Sequence, residues 1–322
     1  MCSMNLYLTF MNRLGFAVKV LGDGGLPSHD TRRWQNRPHL SVSLARLEAI
    51  LERLDAIDVR MYRMASALAP YATHPDLPQF HHQVQECAQE LARVGARARE
   101  LDIRLSFHPG QYVVLNSERE GVRTIAAREL DTLGALLDAM GCGAEAVVVL
   151  HIGGSAGGRE AALERFERGL ELVGEAGRRR LVIENDDRCF GLGDVLELHR
   201  RTQLRVVWDA HHHACLNPEA IPEAEALRAA LATWPDGVVP KIHFSSPREP
   251  GSRAHADMID AEAFSAFLDG PAAGLRFDTM LEAKAKDLAL LALRAALCGD
   301  HRVDVDAVAH APAGELRHAL EH

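Results

Sequence analysis

Arg104-Leu-Ser-Phe-His-Pro-Gly-Gln-Tyr112 is a short apolar run, phased as a buried strand, that stops at a histidine, a Pro-Gly turn and two large polar side chains. The event recurs along the chain. Val147-Val-Val-Leu150 ends in His151, Leu181-Val-Ile183 in Glu184, and Val206-Val-Trp208 in Asp209. Val238-Val239 leads through Pro240 and Lys241 to His243, and Phe277 to Leu281 leads to Glu282. Six apolar runs therefore each deliver a metal-competent side chain at the C-terminal end.

Two further strands precede these, from Arg13 to Val20 and from Val59 to Met64. A polar, glycine-rich loop runs from the first of them to about Pro38, and loops of that length are often functional. Helical spacing of Leu44, Leu47, Ile50, Leu51 and Leu54 predicts a helix capped by Ser43 and reaching Ile57. A proline-punctuated connection, Ala65 to Gln79, carries His74. Further helices are expected from about Phe80 to Leu101, Val122 to Met140 and Glu160 to Glu175, and from about Leu192, Pro222, Ala261 and Lys284. The glycines between His151 and Glu160 lack the lysine and serine of a phosphate-binding P-loop, so they read as a flexible connection.

Eight strands alternating with helices predict an α/β fold, a single (β/α)8 TIM barrel, because parallel neighbours require crossovers and the outer helices cover the sheet. The polar strand ends then converge on the C-terminal rim, where such barrels build their sites. Residues 1–298 are assigned to this domain, and residues 299–322 to a tail whose scattered histidines read as solvated.

A chain of 322 residues with 47% hydrophobic content can bury a barrel core. Six cysteines without a C-x-x-C pair point to reduced thiols. No run has the length of a membrane span, and the first residues lack a signal-peptide pattern, so a soluble cytoplasmic protein is expected. A formal net charge of -9 offers no general attraction to nucleic acid, although bound cations reverse a local field.

One histidine alone is most often a structural hydrogen-bonding residue. Here His74, His108, His151, His212, His243 and His255 accompany Glu184, Asp209 and Glu282, nearly all at strand ends or just beyond. One cation seldom takes more than about six ligands, so nine donors imply two or three divalent ions sharing carboxylates, with Glu184 as the bridge. Mixed imidazole and carboxylate ligation suits zinc or manganese, and manganese is the ion expected. Lys241 points the same way as His243, two residues on. It reads either as a neutral or carbamylated nitrogen beside the metals or as an ammonium contacting phosphate. Such a site fits phosphodiester hydrolysis, in which metal lowers the pKa of a bound water and neutralises phosphoryl oxygens. Glu184, Lys241, His243 and Glu282 are the expected catalytic set.

The chain resembles the bacterial and fungal UV damage endonucleases. The resemblance rests on Arg13-Leu-Gly, Ala72-Thr-His-Pro75, His108-Pro-Gly-Gln-Tyr112, Leu150-His-Ile-Gly-Gly154, Glu184-Asn-Asp, Asp209 with His212-His213, Pro240-Lys-Ile-His243, Ala254-His255-Ala256 and Glu282-Ala-Lys-Ala-Lys286. It implies a metal-dependent TIM-barrel enzyme that nicks damaged double-stranded DNA immediately 5′ to UV photoproducts and other lesions, with no obligate protein partner. It assigns metal ligation to the nine donors above and lesion probing to Gln111 and Tyr112. The chain departs from the family pattern at Phe16, where tyrosine is usual, and within Ala17-Val-Lys-Val20, where an asparagine is expected. Phe16 is accordingly placed with Gln111 and Tyr112 as a substrate-contacting residue. Tyr112 has a second reading as loop packing. Two other functions fit less of the sequence: a xylose-isomerase-like sugar isomerase or epimerase with one metal, and a catalytically silent metal or DNA-binding module.

Overall fold

The computed structural model describes residues 13–299. Eight strands, β1 (Leu14–Ala17), β2 (Met61–Arg63), β3 (Arg104–Ser106), β4 (Val148–His151), β5 (Leu181–Glu184), β6 (Arg205–Asp209), β7 (Lys241–Phe244) and β8 (Asp278–Leu281), form a parallel sheet in the order β3-β2-β1-β8-β7-β6-β5-β4. The ends of that order meet. Just past β3, Phe107 N–H donates to Val147 O at 2.9 Å and Val149 N–H to Phe107 O at 3.0 Å, completing a (β/α)8 barrel.

Alternation along each strand sorts the side chains. Phe16, Tyr62, Leu105, Ile183, Val206, Trp208, Ile242 and Leu281 pack outward in the main core with the helices. Val147, Val149, Val182 and Val207 form a separate cluster with Trp234, as expected for the inward-facing set. On the same inward phase lie Arg104 and Ser106, Lys241 and His243, and Asp278 and Met280. Gly15 is needed where β1 passes β2, since a Cβ there would lie 2.6 Å from Met61 O.

At the strands' N-terminal ends, buried Arg104 donates to Asp278 Oδ2 at 2.8 Å and to Val239 O at 2.9 Å, and stands 5.6 Å from the Trp234 ring centroid. This charge is therefore matched without solvent. Higher in the barrel, Lys241 Nζ donates to Ser106 Oγ at 3.1 Å.

The helix expected to begin at Ser43 spans Leu40–Ala56, and its cap is His39, whose side chain accepts from Ser41 N–H. Ser43 lies inside the helix and is buried, with its hydroxyl accepting from Asp30 N–H at 2.9 Å. β1 stops short of Val20 because Val18 adopts a left-handed φ of 66° that cannot continue a strand. The expected 80–101 helix is divided at Cys87, whose ψ of 22° separates Gln83–Glu86 from Ala88–Glu100. The remaining outer helices include Glu120–Ala139, Arg159–Glu171, Leu192–Thr202, Glu223–Leu231, Ala261–Asp269 and Lys286–Leu297. Among the described residues the cysteines are free and no helix is long and apolar enough to cross a membrane. The expected tail, apart from Gly299, lies outside the described residues.

Candidate metal centre

Glu184 ends β5 with its side chain inside the barrel, fully buried. Three histidines from three other strands meet it. His108 Nε2 lies 3.0 Å and His151 Nε2 2.9 Å from Oε2, while His243 Nδ1 lies 2.7 Å from Oε1. His212 Nδ1, from the turn of helix after β6, is 3.7 Å from the same Oε1.

A second carboxylate, Glu282, follows β8. Its Oε1 lies 3.3 Å from His243 Nδ1, and its backbone oxygen lies 2.9 Å from His255 Nδ1. Arg63 Nη2 donates to Glu282 Oε1 and lies 3.1 Å from His243 Nε2. A guanidinium only donates, so His243 Nε2 accepts and its Nδ1 proton goes to Glu184.

Asp209 ends β6 and caps the short helix Ala210–Cys215, its Oδ1 accepting from His212 N–H at 2.7 Å. Its other oxygen, Oδ2, is buried with no hydrogen-bond partner among the described residues. An orphan carboxylate oxygen among imidazoles is what a cation ligand requires. Ligand atoms of His108, Glu184, His243 and Glu282 form one group within 4.8 Å, and those of His151, Glu184 and His212 form another. These buried groups can hold a metal ion, and Glu184 belongs to both.

The electrostatics agree with that use. Burial alone would raise the pKa of Glu184, but His243, His151 and His108 hold it well below the usual carboxylate range. Burial pushes Asp209 up to about 6. Burial works against charge on His212, yet Asp209, Glu184 and Glu282 outweigh it and push the imidazole up to about 9. Lys241 is pulled well below its ordinary value, first by complete burial and then by Arg63 and Arg104.

Of the nine expected ligands, eight cluster here. His74 does not join the Glu184 contacts: it is exposed on the loop after β2, where its Nδ1 accepts from Asp76 N–H at 3.2 Å. That loop lines a cleft of about 700 Å³ that Tyr112 also lines. Gln111 is exposed, and Tyr112 is 71% exposed with its ring lying over Gly110 of its own loop. Phe16 corrects the expectation placed on it. Its ring is fully buried on the outer face of β1, edge-on to Tyr62 at 5.6 Å between centroids, and cannot touch substrate.

Sequence reasoning also passed over Arg63 and Ser106. The signal was present, because Arg63 shares the phase of Met61 at the C-terminal end of its strand and Ser106 shares the inward phase of Arg104 and His108.

The profile of the family described as UV-endonuclease UvdE matches residues 38–311. UV DNA damage endonuclease of Bacillus mycoides is 34% identical over 259 residues, covering 79% of this chain and 81% of its own. That of Bacillus thuringiensis subsp. konkukian is 33% identical over 239 residues, covering 73% and 74%. The crystal structure of SacUVDE superposes with a TM-score of 0.77 at 32% identity over 88% of this chain and 96% of its own. A D-tagatose 3-epimerase-like protein, at a TM-score of 0.57 and 14% identity over 92% and 100% of the two chains, shares the fold alone. A family match across most of the chain, together with relatives more than 30% identical, places this barrel in one lineage: the chain belongs to the UV-endonuclease UvdE family.

Proposed function

We propose that this protein is a metal-dependent DNA repair endonuclease that cuts the phosphodiester backbone 5′ to UV photoproducts and other lesions in double-stranded DNA. The observation that carries the reading is Glu184, a buried carboxylate approached by His108, His151 and His243, in a chain of this family. His108, Glu184, His243 and Glu282 would hold one ion, and His151, Glu184, Asp209 and His212 a second. His255 lies beside Glu282, while His74, exposed on its outer loop, would have to approach the cluster to ligate and belongs to neither group. Manganese is the proposed metal, with zinc the other fit to this donor set. When bound, the ions supply an activated water and neutralise charge on the phosphoryl oxygens.

The chain's own residues do the rest. Glu184 stays ionised so that it can be shared, while Arg63 holds Glu282 in place. Lys241, fully buried and with its pKa pulled down by that burial, holds its Nζ on Ser106 Oγ inside the barrel. Gln111 and Tyr112 stand clear of the rim, where an amide and an aromatic ring can probe a weakened base stack. The enzyme is proposed to act in the cytoplasm without an obligate protein partner. An end-labelled duplex, irradiated and then incubated with protein and manganese, should be cut immediately 5′ to the photoproduct. Absence of cutting, or equal cutting of the unirradiated duplex, refutes the proposal.

A further inference from the structure

The long loop after β1 contains Thr31-Arg-Arg-Trp-Gln-Asn-Arg37, in which every residue is exposed. Trp34 is 45% exposed, an unusual position for the largest apolar side chain. Arg33 and Arg37 flank it and make no ion pair among the described residues, in a protein whose formal net charge is -9. The segment is nevertheless held firmly. Asp30, almost fully buried, accepts from His39 N–H at 3.0 Å and from Arg32 Nε at 2.9 Å, while its own N–H donates to Ser43 Oγ at 2.9 Å. Thr31 and Arg32, which lead into Arg33 and Trp34, line the same cleft as Tyr112 and Arg119. An aromatic face between two cations, fixed in place on the rim that carries the metal ligands, matches the chemistry of nucleic acid: π-stacking for a base and guanidinium groups for its neighbouring phosphates.

We propose that residues 31–37 are a second DNA grip, in which Trp34 stacks on a base while Arg33 and Arg37 hold flanking phosphates. The inference rests on the DNA endonuclease reading and adds a contact separate from both the metal centre and Gln111-Tyr112. An exposed tryptophan beside arginines also suits a protein partner, but two guanidiniums without ion pairs among the described residues, in an acidic chain and next to a cleft that Tyr112 lines, favour DNA.

The chain has three tryptophans, and Trp208 and Trp234 are only 0% and 7% exposed, so quenching of tryptophan fluorescence by DNA should report on Trp34. The test titrates wild type, W34A, W34F and R33Q/R37Q with one irradiated duplex, following anisotropy and tryptophan emission at several salt concentrations. W34A should bind about fivefold to hundredfold more weakly. W34F should abolish the quenching yet keep affinity within about twofold, because phenylalanine still stacks. R33Q/R37Q should flatten the slope of log K against log salt by about two, one for each lost phosphate contact. Unchanged affinity in W34A, or an unchanged salt slope in R33Q/R37Q, overturns the grip and leaves the segment to a protein contact. Wild type that neither nicks nor binds irradiated DNA overturns the endonuclease reading and the grip together, whereas variants matching an active wild type overturn the grip alone.

Discussion

His243 Nδ1 and Glu184 Oε1 meet at 2.7 Å, both side chains fully buried, on strands separated by β6. Glu184→Gln preserves size but removes the charge that three histidines share. The variant should lose at least one bound ion and essentially all nicking. Elemental analysis beside a nicking assay checks this, and full metal content with full activity would take Glu184 out of the mechanism.

Removing the metals should weaken DNA binding as well as catalysis. With a formal net charge of -9 and Glu184, Asp209 and Glu282 at the rim, the apo site presents negative charge to phosphate. The expected loss is about tenfold or more in affinity for an irradiated duplex, reversed by manganese. Circular dichroism must show the apo protein folded. Equal affinity of folded apo and loaded protein would contradict field reversal at the rim.

Replacing Gln111 and Tyr112 with alanine should leave metal content intact, since both side chains are exposed and neither belongs to the donor groups. Loss of an aromatic contact worth about 1–3 kcal/mol should cut lesion affinity about tenfold to a hundredfold. Competition between irradiated and unirradiated versions of one duplex measures the preference. A double variant that keeps full preference would assign lesion reading elsewhere.

Asp278→Asn separates folding from chemistry. It leaves the buried Arg104 guanidinium without its counter-charge at the N-terminal ends of the strands, on the face opposite the site. A buried pair broken on one side costs about 3–5 kcal/mol. Denaturant unfolding should show a loss of that order, to which Arg13 contributes because its backbone N–H and Nη1 also donate to Asp278. A loss below about 1 kcal/mol would mean that the carbonyl contacts of Arg104 suffice.

The strand ends were legible because a period of two fixes which way each side chain points once the apolar run is seen. His108, His151, Glu184, Asp209, His243 and Glu282 all follow from that rule. The same rule places Phe16 between inward Gly15 and Ala17, hence facing the helices; family resemblance at that position drew it wrongly toward substrate. Ser43 misled because a serine one turn inside a helix has the same local sequence as a cap, and only the long-range bond from Asp30 distinguishes them. Nor does local sequence reveal the left-handed Val18 that ends β1, since a β-branched residue disfavours that conformation. His74 lies on a loop whose approach to the rim is set by tertiary contacts rather than by strand phase.

Closure between β3 and β4 rests on the two backbone bonds made by Phe107. His108 and His151 stand on opposite banks of that seam, and both reach Glu184 Oε2. The catalytic cluster is therefore also a fastener across the least extensively bonded join in the wall. Loading it with cations would rivet the two banks together, and Gln111-Tyr112, three and four residues beyond His108, would inherit the stiffness. Under the proposed function, a probe for softened DNA needs to be harder than what it tests, and ions held by this cluster would harden it.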